Sequence, residues 1–255
     1  GISTTFWGFM FGSFFGDAVN VIATTFFNRP DIRLAPLWFE PVSLPMKLLV
    51  FAFGLGILHL FIGLGIKFYS CVKNGSLADG IYDAIFWYML VGGGIIYLLT
   101  MPMFTEMLGL TFTLPAVAGT VAAYAAAIGF VGIVLTSGRE SKNWVKRILK
   151  GLYGAYGVSS YLSDILSYSR LLALGLATSV ISTVFNKMGS MMGASIPGAI
   201  IFILVFVIGH SLNLAINALG AYVHTNRLQY VEFFGKFYEG GGRKFEPFAV
   251  HTKYY

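Results

Sequence analysis

Tyr161-Leu-Ser-Asp-Ile-Leu-Ser-Tyr-Ser-Arg-Leu-Leu-Ala-Leu-Gly-Leu-Ala-Thr-Ser-Val-Ile181 is the stretch on which the reading of this chain turns. It reads as a membrane helix, yet it carries Arg170 well inside it. A guanidinium keeps its charge at any useful pH. Placing it near a bilayer centre costs roughly 2.5–3.5 kcal/mol on insertion scales. Snorkelling to headgroups relieves such a charge near helix ends, and a buried carboxylate can pair with it; both remain alternatives here. The neighbours point further. Ser160, Ser163, Ser167 and Arg170 fall at steps of three and four, so they share one helix face. Ser159, Asp164 and Ser169 flank that face. Beyond Arg170 the helix turns apolar through Leu171, Leu172, Leu174 and Leu176, with Thr178 and Ser182 as the next polar stops. A polar approach therefore ends on a permanent cation.

The rest of the chain agrees with a membrane setting. Of 255 residues, 56% are hydrophobic and 11% charged, with mean hydropathy +0.75, whereas a soluble domain carries about 25% charged residues. The pattern predicts an all-α polytopic membrane protein. Six spans are expected, at about 2–27, 46–69, 79–100, 109–136, 159–189 and 196–238. An amphipathic surface segment is expected over 143–157. Gly8, Gly12 and Gly16 make a GxxxGxxxG series that would give the first span a flat packing face, or simply reflect the glycine richness of the chain. Residues 28–45, rich in proline and charge, read as a loop, with Trp38 and Phe39 at the membrane interface. His59 inside the second span reads as a packed or hydrogen-bonded histidine. Cys71 is the only cysteine, and no zinc-type spacing occurs. The net charge of +6 reads as topology, not nucleic-acid binding. If the 138–150 loop and the C-terminus are cytoplasmic, that side collects eleven basic residues against four on the other, with Arg170 and Arg227 inside spans. This is the positive-inside orientation. A start at Gly1, with no methionine and no signal, suggests numbering that begins within a longer protein.

The last two helices are too long for a simple crossing. At 1.5 Å per residue they reach roughly 45 and 64 Å, against a hydrocarbon core of about 30 Å, so a strong tilt is expected. The final helix has its own polar stripe: His210, Asn213, Asn217, His224 and Arg227 follow steps of three, four, seven and three. Around it lie Thr225, Asn226, Gln229 and Glu232. Lipid does not tolerate such a stripe, so it faces protein or water. Two fixed cations with polar approaches suit ion passage, through hydroxyls, amides and imidazoles that relay protons or replace part of a hydration shell. Asp164 and Glu232 lie near helix ends, so the carboxylate that neutralises Arg170 is expected on another chain.

Three stretches resemble a known family. They are Tyr161 to Thr178, His224 to Pro247 and Phe6 to Asp17. Together they resemble subunit I of V-type and A-type rotary ATPases, the bacterial and archaeal counterpart of V-ATPase subunit a. The resemblance implies the C-terminal membrane domain of a stator, with an N-terminal cytoplasmic arm and two first helices missing. It implies that Arg170 is the essential arginine and Arg227 the second intramembrane arginine. Two half-channels, lined from among Ser160, Ser163, Asp164, Ser167, Thr178, His210, Asn213, Asn217, His224, Gln229 and Glu232, would serve a rotor ring of proteolipid subunits bearing one carboxylate each. The translocated ion would be H+ or Na+. Other partners would be a peripheral stalk, further membrane-sector and ATPase-sector subunits, and lipid. The implied setting is a bacterial plasma membrane with a cytoplasmic C-terminus. The chain departs from the eukaryotic pattern at Thr178, where a histidine stands there, and at Asn217, where a glutamate stands.

No cofactor, metal or nucleotide site is expected, and no ATP hydrolysis by this chain. A self-contained secondary ion transporter is the rival reading, but no internal repeat or broken midplane helix supports it. An intramembrane enzyme ranks below both, since no HExxH or GxSxG motif or intramembrane aspartate pair occurs.

Overall fold

The protein is described here by a computed structural model covering residues 1–32, 35–110, 114–138, 144–238, 240–241 and 245. Arg33, Arg139, Lys142, Arg243, Lys244 and Lys253 of the topology argument lie outside the described residues. So do Glu239, Gly242, Glu246 and Pro247 of the second resembling stretch.

The described residues are mainly helical, with no β-strand among them. Helix α1 runs Ile2–Phe11 and α2 runs Ala18–Phe27. Helix α3 runs Pro45–Lys73, with its proline in the first turn, where a missing N–H costs nothing. Further helical runs cover Leu77–Thr100 and Ala116–Thr136. The amphipathic helix is Trp144–Tyr156, close to the expected 143–157. It leads almost without a break into Val158–Ser167 and then Ser169–Ser190, the arginine helix. The final helix runs Ile196–Arg227 and continues through a π turn, Leu228–Phe233, and a short 3-10 turn, Phe234–Lys236. Ser195 caps it by accepting a hydrogen bond from the Gly198 N–H at 3.2 Å.

Five of these runs are long and apolar enough to cross a bilayer. The stretch over 2–27, expected as a span, is not one continuous helix. Its two ten-residue helices are each about 15 Å long, too short to cross singly. The cause lies in the glycines read as a packing face. Gly12 and Gly16 have φ of 64° and 71°, and Phe15 between them has φ 52°. These are left-handed turn positions, not helix positions. A Cβ on Gly12 would sit 2.7 Å from Pro36 Cα, and one on Gly16 would sit 2.8 Å from Ser182 Cβ. The break thus presses the chain against the arginine helix and the following loop. Trp38 and Phe39 of that loop differ: Phe39 is buried, while Trp38, half exposed, stacks on Phe11.

Small residues bring the long helices together, as membrane packing requires. Gly93 and Gly129 seat Leu77–Thr100 against Ala116–Thr136 with room for no added carbon. The arginine helix packs antiparallel on the final helix, where Gly209 lies under the Phe185 ring and Gly189 under Phe202. Helix α3 backs this pair.

Candidate functional site

Antiparallel packing of two helices turns their polar stripes into a ladder. At one end Asn186 Nδ2 donates to Phe15 O at 2.8 Å and Asp17 Oδ1 at 3.0 Å. Its Oδ1 is therefore the acceptor for His210, which donates through Nε2 at 2.9 Å. On the next rung Asn213 Nδ2 donates to Ser182 Oγ at 2.8 Å. Asn217 Nδ2 donates to Asn213 Oδ1 at 2.6 Å, and the Thr178 hydroxyl donates to Asn217 Oδ1. Ser182, Asn186, His210 and Asn213 are all buried. The next rung is apolar, with Leu174 against Gly220.

Beyond it stands Arg170. Its Nη1 lies 3.5 Å from Glu232 Oε1 and its Nη2 donates to Ser167 Oγ at 3.2 Å. The Arg170 side chain is 25% exposed and that of Glu232 only 2%. Glu232 Oε2 is buried with no hydrogen-bond partner among the described residues. These contacts use two of the five N–H donors of the guanidinium. They also correct one expectation: a carboxylate of this same chain already faces Arg170. The π turn carries Glu232 into the interior, although it lies near the end of the long helix.

A second ion pair lies one turn further on, between Asp164 and Lys236. The Lys236 ammonium also sits 3.8 Å from the centroid of the Tyr161 ring, a cation–π contact. Ser160 and Ser163 are exposed on the same side.

Other expected residues are placed differently. Arg227 is exposed rather than on the inner face, and no salt bridge holds it among the described residues. His224 and Gln229 are half-buried without a hydrogen bond among the described residues. The stripe predicted as one face therefore splits, with His210, Asn213 and Asn217 turned inward and Arg227 outward. His59 is hydrogen-bonded, as expected: its Nδ1 lies 2.6 Å from the Tyr168 hydroxyl.

The sequence reading did not place Asp17, Asn186, Tyr168 or Lys236 in the site. Asn186 was within reach, because Thr178, Ser182 and Asn186 continue one face in steps of four. Asp17 was not, since nothing local marks it as a partner of a residue 169 positions away. A cavity of about 390 Å³ opens beside Asp17, bounded by Ser13, Asn20, Glu40, Ser179 and Thr183. Asn20 Oδ1 is buried there with no partner among the described residues.

Comparison with known proteins gives the same family from two directions. The profile of the V-type ATPase 116kDa subunit family matches residues 158–250. The chain is 33% identical over 275 residues to the A-type ATP synthase subunit I of Methanocaldococcus jannaschii, a match covering 100% of this chain and 38% of that protein. It is 35% identical over 250 residues to the subunit of the same name from Pyrococcus horikoshii, covering 95% and 34%. Against the V-type ATP synthase subunit I of Chlamydia pneumoniae the identity is 27% over 166 residues, covering 65% and 24%. The chain thus spans between 24% and 38% of the length of these curated relatives.

Proposed function

Because this chain belongs to the V-type ATPase 116kDa subunit family, we propose that it is the membrane stator of a rotary V/A-type ATPase. In this reading it carries two ion half-channels against a rotor ring and does not itself hydrolyse ATP. The ring is made of proteolipid subunits, each with one carboxylate. A peripheral stalk and ATPase-sector subunits complete the machine.

The observation that carries this reading is the state of Arg170. The guanidinium is partly open, held by one long contact to Glu232 and one to Ser167, with donors to spare. A second carboxylate can therefore dock on it. A ring carboxylate that does so is held ionised by the adjacent cation, and its ion must leave. Moving on, it must take up another ion before it faces hydrocarbon, where a bare anion is prohibitive. Glu232 holds the guanidinium between such visits.

Two polar routes end at this point without meeting. One begins at the cavity beside Asp17 and follows Asn186, His210, Ser182, Asn213, Asn217 and Thr178. It is the outer half-channel if the C-terminus is cytoplasmic. The other lies around Ser160, Ser163, Asp164 and Lys236 and is the inner one. The Leu174–Gly220 rung and the Arg170 charge stand between them and block a direct leak. Arg227, exposed near the inner end, meets the ring or an anion at its edge.

The test is ATP-driven ion uptake by the whole complex in liposomes. Arg170→Ala abolishes coupled transport while the complex still assembles. Arg170→Lys also fails, because lysine lacks the planar fork and can lose its proton. Full pumping by either variant refutes the assignment.

A further inference from the structure

Each of the two long helices departs from regular α geometry close to the Arg170–Glu232 pair, and both departures meet the same side chain. The arginine helix is interrupted at Tyr168, two residues before Arg170. The final helix passes into its π turn over Leu228–Phe233, which contains Glu232. Helix α3 touches both. The Tyr168 side chain is 3% exposed, and its ring lies so close on Gly56 that an added Cβ would fall 2.7 Å from it. Its hydroxyl lies 2.6 Å from His59 Nδ1. The same imidazole stacks on Phe233 with centroids 4.1 Å apart and planes at 13°. Gly63 continues this face of α3, and a Cβ there would meet Phe233 and Lys236 at 3.5 Å. Gly56, His59 and Gly63 fall at steps of three and four, so two gaps flank one polar ring.

From this arrangement we infer that His59 is a positioning residue that sets the Arg170–Glu232 distance by tying the interruption of the arginine helix at Tyr168 to the π turn of the final helix. The inference rests on the stator reading above. The physical reason is that Arg170 sits on a flexible side chain next to an irregular backbone. Its guanidinium meets a passing carboxylate reproducibly only if both backbones are fixed. One edge of the imidazole holds Tyr168, next but one to Arg170. One face holds Phe233, adjacent to Glu232. Tyr168 and Phe233 cannot shift apart without losing the hydrogen bond or the stack.

The two contacts can be removed separately in the assembled complex. His59→Phe keeps a ring on Phe233 and loses the bond to Tyr168. Tyr168→Phe loses the same bond from the other side and removes a single oxygen. His59→Asn keeps a polar group near the Nδ1 position and loses the stack. The readouts are the amount of assembled complex, the transport rate per complex and the ion concentration for half-maximal rate. His59→Phe and Tyr168→Phe each lower the rate per complex by up to about tenfold, the scale of one hydrogen bond. They also move the half-maximal ion concentration, and the double variant is no worse than either single one. His59→Asn recovers part of the rate lost in His59→Phe. Wild-type rate and half-maximal concentration in both His59→Phe and Tyr168→Phe overturn the inference, as does a loss confined to the amount of complex. Arg170→Ala measured alongside separates the two proposals. If it is inactive while the His59 and Tyr168 variants are normal, only the positioning role falls. If it pumps, the stator reading falls with it.

Discussion

If Arg170 meets ring carboxylates as proposed, Glu232→Gln isolates the charge that holds it between those encounters. At the observed 3.5 Å, two unit charges attract by about 5 kcal/mol at an effective dielectric constant of ~20. That figure is an upper bound, because Arg170 is a quarter exposed and Glu232 Oε2 gains no bond among the described residues to offset its burial. A hydrogen bond to a charged group nets about 1.5–3 kcal/mol, roughly 10- to 150-fold in an equilibrium. Glutamine keeps the volume and a neutral acceptor, so the lower end applies. Once Glu232 is neutral, a ring carboxylate leaving Arg170 abandons an unpaired cation in a low-dielectric site. Its departure slows by about tenfold. The assay is ATP-driven ion uptake with ATP hydrolysis measured in the same proteoliposomes. Both rates are expected to fall together, with the number of ions moved per ATP unchanged and no leak without ATP. A rate within twofold of wild type would show that Glu232 does not share the guanidinium. Hydrolysis that continues while uptake stops would show that the pair seals the path instead.

Asn186→Leu removes the bonds to Phe15, Asp17 and His210, each worth about 0.6 kcal/mol and at most about 1.7 in membrane proteins. It raises the ion concentration needed for half-maximal transport in one direction of operation, and unchanged curves in both directions remove the outer route. Arg227→Ala gives a milder defect than Arg170→Ala, seen as slower transport at low ion concentration; wild-type transport at every concentration strikes it from the site. Gly209→Ala places a Cβ 2.5 Å from the Phe185 ring, an overpacking cost of about 1–3 kcal/mol. The thermal midpoint of the detergent-purified complex falls, and an unchanged midpoint contradicts the helix contact that aligns the ladder.

The elements were readable from the sequence where a single period governed a long stretch. The arginine helix declared itself because its serines and Arg170 repeat at 3.6 residues, and His210, Asn213 and Asn217 did the same on the final helix. What was lost needed information that periodicity does not hold. Glycine at every fourth position looks alike whether it serves close helix packing or positive φ, so Gly12 and Gly16 broke a span that was read as continuous. Arg227 lies seventeen residues beyond His210, and 3.6-residue winding over that length carries it off the inward face. Glu232 was read as a terminal residue because the π turn that buries it leaves no mark in composition. Asp17 and His59 act across long sequence separations. Their partners, Asn186 and Tyr168, are ordinary polar residues of a different helix.

The central claim is that Arg170 is a docking point for acidic groups of a moving neighbour. A side-chain-resolution structure of the complete complex tests it most directly. The account predicts a ring of helical hairpins against the arginine and final helices, with one ring carboxylate within about 4 Å of the Arg170 guanidinium in at least one rotational state. Lipid beside Arg170 in every state, with the guanidinium satisfied only by Glu232 and Ser167, would contradict it.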